Sequence, residues 1–453
     1  MNKKMIVFTI GKLLTITGLL MFMPVIVSLI YQETEGVYYA ILGIIMLALG
    51  ILISRKAPRK KNIYAREGFA IVALSWLLIS LLGAIPFCLT GEIPSYVDAV
   101  FETVSGFTTT GSSILSNVEA LSHTSLFWRS FTHWVGGMGI LVFVIAFIPI
   151  ASGRSLHILR AEVPGPVVGK LVSKVRLTAR ILYVIYAIMT VIEIILLLFG
   201  GMPLFDCILN AFGTAGTGGF GINFNLIYFF ILGRIKEVLK SEELRWYLII
   251  IVAAIALITI NILPLYDSIL SALRYSSFQV GSIITTTGFV TADYGQWPVF
   301  SQVILLSLMF VGACSGSTGG GIKVSRIVIY FKNARNELHK LLHPHSVRAV
   351  EFENQPVEDN VIRTIHAYLV VYITIFALSL LILTFLNLDF KSAFSAIASC
   401  LNNIGPGLDV VGPVSNFGSL PDVSKIVLTF DMLAGRLELF PMLLLFSPSL
   451  WRK

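Results

Sequence analysis

Thr108-Thr109-Thr110-Gly111-Ser112, Gly216-Thr217-Gly218-Gly219-Phe220, Thr285-Thr286-Thr287-Gly288-Phe289 and Asn402-Asn403-Ile404-Gly405-Pro406 are four short polar, glycine-bearing stretches in an otherwise apolar chain. Each follows a segment (about 97–107, 204–214, 268–283 and 390–400) too short to cross a bilayer, and a longer apolar run precedes each segment. Spanning ~30 Å of hydrocarbon takes about 20 helical residues. Asp98, Asp206, Asp267 and Asp389 stand near the starts of the short segments, where a carboxylate suits a helix N-terminus. Asp98 to Gly111 and Asp206 to Gly219 have the same spacing, 13 residues, and the third and fourth stretches are looser.

The recurrence predicts half-helices that dip into a membrane from one side, each followed by an extended stretch that returns. Irregular backbone at membrane depth is tolerated only where it lines water or is buried in protein. Its carbonyls can then replace the hydration shell of a cation, and glycine allows the backbone angles that aim successive carbonyls one way. One such stretch would read as an ordinary loop or a helix contact. Four on the same side form a closed pseudo-fourfold ring.

Composition agrees. Of 453 residues 56% are hydrophobic and 13% charged, with mean hydropathy +0.85; a water-soluble chain carries about 25% charged residues. Apolar segments lie near 5–30, 37–54, 68–90, 126–150, 181–199, 246–266, 299–328, 361–388 and 423–447, with a short one at 222–232. The first is too long for a signal-peptide core and lacks a clear cleavage site, so it reads as an anchor helix. Basic residues cluster at 55–66, 154–180, 234–245 and 323–348, and the alternate connections carry acid instead. Lys and Arg mark the cytoplasmic side, so both termini are expected inside. The net charge of +8 reads as inner-face anchoring, not nucleic-acid binding. Acidic outer loops are either merely solvated or concentrate cations.

Cys88, Cys207, Cys314 and Cys400 are scattered without metal-ligand or disulfide spacing and read as packing residues. Gly216-x-Gly218-x-x-Gly221 matches a dinucleotide fingerprint by letter, but that fingerprint needs a preceding strand. His339, His343 and His345 lack the carboxylate or cysteine that would complete a metal set. Glu193 lies in an apolar helix with no evident partner. No catalytic constellation is visible, so an enzyme is not expected.

With the pore loops at 107–112 and 282–289, the run Cys400-Leu-Asn-Asn-Ile-Gly-Pro-Gly407, His133-Trp-Val-Gly-Gly-Met-Gly139, Gly312-Ala-Cys-Ser-Gly-Ser-Thr-Gly-Gly-Gly-Ile-Lys323 and Gly435-Arg-Leu-Glu-Leu-Phe-Pro441, the chain resembles the Trk/Ktr superfamily of potassium-uptake membrane subunits, and more closely its Trk-type branch. The likeness covers nearly the whole chain. It implies an all-α polytopic membrane protein of four helix–pore-loop–helix repeats preceded by two extra transmembrane helices. The expected units are 1–66 (the two extra helices), 67–160, 161–240, 241–350 with a broken inner helix, and 351–453. The resemblance further implies potassium uptake across the inner membrane of a prokaryote and a homodimer with one pore per subunit. It implies a cytosolic nucleotide-binding regulatory subunit (TrkA-like) and no cofactor in this chain besides K⁺ as transported ligand.

The expected K⁺ filter is Thr109, Thr110, Gly111, Thr217, Gly218, Gly219, Thr286, Thr287, Gly288, Asn403, Ile404 and Gly405. The expected gate is Gly316, Ser317, Thr318, Gly319, Gly320 and Gly321 with Arg436. Glycine breaks a helix at about 1 kcal/mol per residue relative to alanine, so 312–321 interrupts what should be a pore-lining helix; the alternative is a close helix contact through small residues. Arg436 is an intramembrane charge, expected either to pair with carbonyls of that stretch or to bridge Asp431 or Glu438 for packing.

One departure stands out. After Gly219 only about 14 residues precede Arg234, ~21 Å of helix against a ~30 Å core. The second inner helix is short by this measure, through an internal deletion or an unusual crossing. The competing readings are a carrier for another small cation or solute, such as a Na⁺-coupled symporter, or a transport-impaired deletion variant.

Overall fold

The structure, a computed structural model, describes residues 2–56, 58, 64–137, 139, 175–217, 241–315, 317, 319–346 and 348–452. Long uncharged runs become helices because a helix satisfies its own backbone polar groups where water is absent. Among the described residues five helical stretches are long and apolar enough to cross a membrane: Lys3–Tyr31, Gly36–Ile53, Ala65–Leu89, Glu242–Leu265 and Asp359–Phe385.

Helices α1 (Lys3–Leu20) and α2 (Phe22–Tyr31) make the first stretch and α3 (Gly36–Ile53) the second. A Cβ at Gly18 would overlap the backbone of Gly43 and Leu47, and one at Gly50 the backbone of Thr15. Small residues let α1 and α3 approach this closely, which is how helices gain contact without a hydrophobic driving force.

A common order then recurs. A long helix α4 (Ala65–Leu89) leads to a short helix α5 (Tyr96–Phe107), a largely irregular stretch with one 3₁₀ turn (Val118–Ala120), and α6 (His123–Gly137). Next come α7 (Val175–Phe199) and the short α8 (Leu204–Thr217), after which residues 218–240 lie outside the described part. The order is complete again in α9 (Glu242–Ile262), short α10 (Ile269–Ile284), α11 (Val299–Val311) and α12 (Val324–Leu342). It recurs in α13 (Asp359–Phe385), short α14 (Phe390–Leu401), α15 (Asp422–Arg436) and α16 (Phe440–Phe446).

The expected acid at the short-helix starts is only partly what caps them. Asp389 does cap α14, accepting from the Ser392 N–H at 2.9 Å. In α5 and α10 the caps are Ser95 and Ser268. Asp98, one turn in, pairs instead with the buried Lys425 of α15 at 2.5 Å. One element lies outside the sequence reading: a two-residue-strand hairpin, β1 (Glu351–Phe352) against β2 (Gln355–Pro356). Its turn residues Glu353 and Asn354 both have positive φ (51° and 58°), as two-residue hairpin turns favour.

The α2–α3 turn ties the N-terminal pair to the rest. Glu33 accepts from the His123 and Thr124 N–H groups (2.8 and 2.9 Å), the Thr124 hydroxyl (2.6 Å) and His123 Nδ1 (2.8 Å). It therefore caps α6 from a distant segment, satisfying N–H groups that a helix start leaves bare. Partial burial pushes this carboxyl upward, but the bonds from Thr124 and His123 outweigh it and hold the group below its ordinary value. A lowered folded value stabilises the fold above the unfolded value, and that stability is lost as pH falls through the lowered one. Glu33→Gln should thus lower the melting temperature in detergent near neutral pH, with the gap to the parent narrowing as pH falls through and below the ordinary carboxylate range. A gap independent of pH would show that the carboxylate's charge does not anchor α6.

Candidate functional site

Three of the four polar stretches are described in full, and their backbones follow one pattern. Each short helix ends with a turn whose N–H groups bond back to it: Thr110 N–H to Ser105 O (2.9 Å), Thr287 N–H to Ser282 O (2.8 Å) and Ile404 N–H to Ser399 O (2.9 Å). A left-handed residue follows, then a second one two positions on. These pairs are Thr109 (φ 58°) with Gly111 (81°), Thr286 (59°) with Gly288 (76°), and Asn403 (52°) with Gly405 (112°). A threonine at positive φ is strained, and such strain collects at ligand sites. The C-termini of α5, α10 and α14 end at these stretches, bringing the negative ends of their dipoles there.

The stretch at 402–406 touches the other two. A Cβ at Gly288 would overlap Ile404 O, and one at Gly405 would lie 2.8 Å from Thr110 O. The Ser112 hydroxyl donates to Gly405 O at 2.9 Å, and the Asn403 amide donates to Thr110 Oγ1 and Met432 O, both at 2.9 Å. Behind them stands a fixed shell. Buried Glu102 of α5 accepts from the Ser113 hydroxyl (3.0 Å), Ile114 N–H (2.9 Å) and Arg129 Nε (2.6 Å). The Tyr372 hydroxyl donates to Asn402 Oδ1 at 2.8 Å and that of Tyr294 to Gly407 O at 3.1 Å. A Cβ at Gly136 would overlap Phe107 O and one at Gly435 would overlap Leu401 O, so α6 and α15 meet the ends of α5 and α14 through the same device.

In the second stretch Gly218 and Gly219 lie outside the described residues. Thr217 is the last residue of α8, whereas Thr109 and Asn403 follow the ends of their helices. Gly216 packs against α6, where a Cβ would sit 2.6 Å from His133 O.

The glycine-rich interruption does break a helix. α11 stops at Gly312 (φ 67°) and α12 starts after Lys323 (φ 79°). Between them Ile322 and Lys323 N–H groups return to Phe310 O (3.0 Å) and Val311 O (3.1 Å). The loop abuts the polar stretches: a Cβ at Gly320 would overlap Asn402 O, and one at Gly319 would lie 2.8 Å from Thr286 Oγ1. Gly316 and Thr318 lie outside the described residues. The described carbonyls of Ser317 and Gly319 are taken by Lys323 Nζ, which sits 3.2 Å from Ser317 O and also bonds Gly319 O. Lys323 is 1% exposed.

Arg436 does not take that place at those two carbonyls. Its described hydrogen bonds go to Gly136 O and, at 3.4 Å, Gly137 O of α6, with the guanidinium over Trp76 at 5.5 Å. The acids weighed as alternatives are engaged elsewhere, Glu438 by Arg326 and Asp431 by Ser379 at 2.9 Å. The His339–His343 pair lies on the last turn of α12, ring centroids 4.6 Å apart, and no metal-binding cluster occurs among the described residues.

Sequence reasoning missed Lys323, which it grouped with the basic run of the inner face. The signal was its position, two residues past the glycine cluster. It also missed Glu102 and Glu243, buried acids that bond backbone N–H groups.

Comparison with known proteins agrees with this fold. Residues 38–231 and 240–453 match the family model TrkH, described as a cation transport protein. The chain is 35% identical to the Trk system potassium uptake protein TrkH of Salmonella typhimurium strain LT2 over an alignment of 486 positions that covers all of both chains. It is 31% identical to the Trk system potassium uptake protein TrkG of Escherichia coli K12, covering 98% of this chain and 97% of that one. Its structure superposes on the crystal structure of the potassium transporter TrkH from Vibrio parahaemolyticus with a TM-score of 0.88, 32% identity and full coverage of both chains. An all-α chain with several membrane-crossing helices, matched over almost its whole length by that family, belongs to the TrkH family of membrane cation transport proteins and is not an enzyme.

Proposed function

We propose that this chain takes up potassium across the cytoplasmic membrane of a prokaryote, through a filter of four re-entrant loops arranged as pseudo-fourfold repeats. The observation that carries this reading is the repeated left-handed pair at 109/111, 286/288 and 403/405 in three stretches, of which the one at 402–406 touches both others. Alternating handedness turns successive carbonyls to one side, which is the arrangement that replaces a cation's water shell. The relatives are named potassium uptake proteins, which supports K⁺ as the ion. Thr217, Gly218 and Gly219 complete the ring in this reading.

Gly288 is the most sensitive test. It is left-handed and has no room for a side chain beside Ile404 O. A non-glycine residue there costs about 1–2 kcal/mol in backbone strain, and its side chain must displace the Ile404 carbonyl, which changes the geometry that tells ions apart. Gly288→Ser should lower K⁺ over Na⁺ preference several-fold in liposome flux assays. Unchanged preference in a folded variant removes the filter reading.

The loop 312–323 serves as gate. It lies against Thr286 and Asn402, its glycines leave no side chain between loop and filter, and Lys323 keeps it folded. Arg436 braces α15 against α6 and places a permanent cation near the conduction path. Arg436→Ala should raise K⁺ flux several-fold, as should shortening residues 316–320. Equal or lower flux in well-folded Arg436→Ala identifies a packing residue.

The assembly is a homodimer served by a cytosolic nucleotide-binding ring, docked on the basic stretches 154–180 and 323–348. Residues 154–174 lie outside the described part, while α12 exposes Phe331, Leu338, Leu341 and Leu342 among its basic residues. Charge reversal in both stretches should abolish co-purification with a TrkA-like subunit; indifference to it removes the docking assignment.

A second reading, an internally deleted and transport-impaired variant, has its own support. The family match is interrupted at 232–239, and the alignment with the Salmonella relative runs over 486 positions against 453 residues here. Growth rescue of a potassium-uptake-deficient bacterium at low K⁺ separates the two: rescue supports uptake, and failure with normal membrane insertion supports impairment.

A further inference from the structure

We infer that Glu243 is a positioning residue for the glycine loop, one that pins the loop's two ends together and is itself held by the cytoplasmic hairpin. The inference rests on the gate reading and adds to it the residue that sets the loop's closed position.

Glu243 lies in the first turn of α9, a helix that enters the membrane from the basic side, and it is 4% exposed. A single oxygen, Oε1, accepts from the N–H of Ser315 at 2.6 Å and from the N–H of Ser325 at 3.2 Å. Ser315 is inside the glycine loop, and Ser325 is in the first turn of α12, where N–H groups have no partner within the helix. The hydroxyls of the same two serines bond each other. One carboxylate thus gathers the beginning of the loop and the beginning of the following helix, ten residues apart.

That oxygen does not compete with Lys323. The lysine takes carbonyls in the middle of the loop, and the glutamate takes N–H groups at its two ends. Among the described residues the two side chains thus take different groups of the loop and its flank, Lys323 the Ser317 and Gly319 carbonyls and Glu243 the Ser315 and Ser325 N–H groups. Neither partner belongs to the filter, so a change at Glu243 moves the loop without touching the ion's ligands.

The second link reaches the cytoplasmic surface. Glu353, in the turn of the β1–β2 hairpin, accepts from the Glu243 N–H at 3.1 Å and from the Ser241 hydroxyl at 2.8 Å. Lys332 of α12 bridges the same elements, with Nζ 2.5 Å from Glu242 and 2.8 Å from Glu351 O. Glu353 is exposed. A force on the hairpin therefore reaches the loop through two consecutive carboxylates, with no rearrangement of the apolar core between them.

A native reporter exists. Cys314 is buried, carries a free thiol and adjoins Ser315. In a chain keeping only Cys314 (Cys88→Ala, Cys207→Ala, Cys400→Ala), the labelling rate with a membrane-permeant maleimide reads loop opening whether or not ions pass. Glu243→Leu should raise that rate several-fold, and Glu243→Gln, which keeps an acceptor oxygen, should fall much nearer the parent. Glu353→Ala, at an exposed site that does not threaten folding, should raise it as well. In liposomes both Glu243→Leu and Glu353→Ala should raise K⁺ flux without altering the K⁺ over Na⁺ ratio. Neither should add to the flux of a chain already shortened at 316–320. Labelling unchanged in both Glu243→Leu and Glu353→Ala overturns the assignment, as does a rise that Glu243→Gln shares in full. If shortening 316–320 raises flux while these variants leave labelling alone, the gate stands and only the role of Glu243 falls. If labelling rises but neither these variants nor the shortened loop changes flux, Glu243 positions the loop and the gate reading falls.

Discussion

Backbone that leaves the helix inside a membrane must find partners for its N–H and C=O groups within the protein or in a water-filled path. The rest of this structure follows from how that demand is met at two places. At 108–112, 285–289 and 402–406 backbone N–H groups bond back to the short helices, and the Ser282 and Ser399 hydroxyls of those helices donate to Phe289 O and Gly405 O. At 312–323 backbone bonds such as Ile322 N–H to Phe310 O meet part of the demand, and the side chains of Glu243 and Lys323 take further groups of the described loop.

The two places are one construction. The loop reaches the polar stretches only because Gly319 and Gly320 have no side chains where Thr286 and Asn402 stand. The stretches keep their shape only because Glu102, Tyr294 and Tyr372 hold them from behind. Buried polar groups in a low dielectric stabilise when fully partnered and cost heavily when not. That is why so many of the contacts around 108–114 and 402–408 are hydrogen bonds rather than apolar packing.

How much of this was legible depended on whether the signal was local. The short helices were placed within a few residues of their observed limits, since each is an amphipathic run closed by Thr, Gly or Asn: 97–107 was expected and Tyr96–Phe107 is found. The helix break at 312–321 was legible from glycine alone. The caps were not. Asp98 looked like a helix-start acid, yet Ser95 takes that role and frees Asp98 for Lys425, a residue more than 300 positions away. Lys323 and Glu243 look in sequence like the flanking charges of any membrane segment. Only the tertiary fold shows that both turn inward. The hairpin at 351–356 was invisible for a plainer reason: two-residue strands leave no periodicity to read.

The way the loop is held bears on how it can move. A plug packed by dispersion would lose many small contacts on opening, each irreplaceable by water. A loop held by a few side-chain hydrogen bonds loses only those contacts, and water entering the path can replace each of them. In the proposed gate the closed state would then be well defined, with a gap to an open state that a bound partner could shift through its differential affinity for the two. The strained positive-φ backbone at Lys323 points the same way: a conformation that costs 1–3 kcal/mol persists only while its side chain keeps the Ser317 and Gly319 carbonyls. Once they are withdrawn, the strain favours release. The polar ties that make the loop possible at membrane depth are therefore also what makes it reversible.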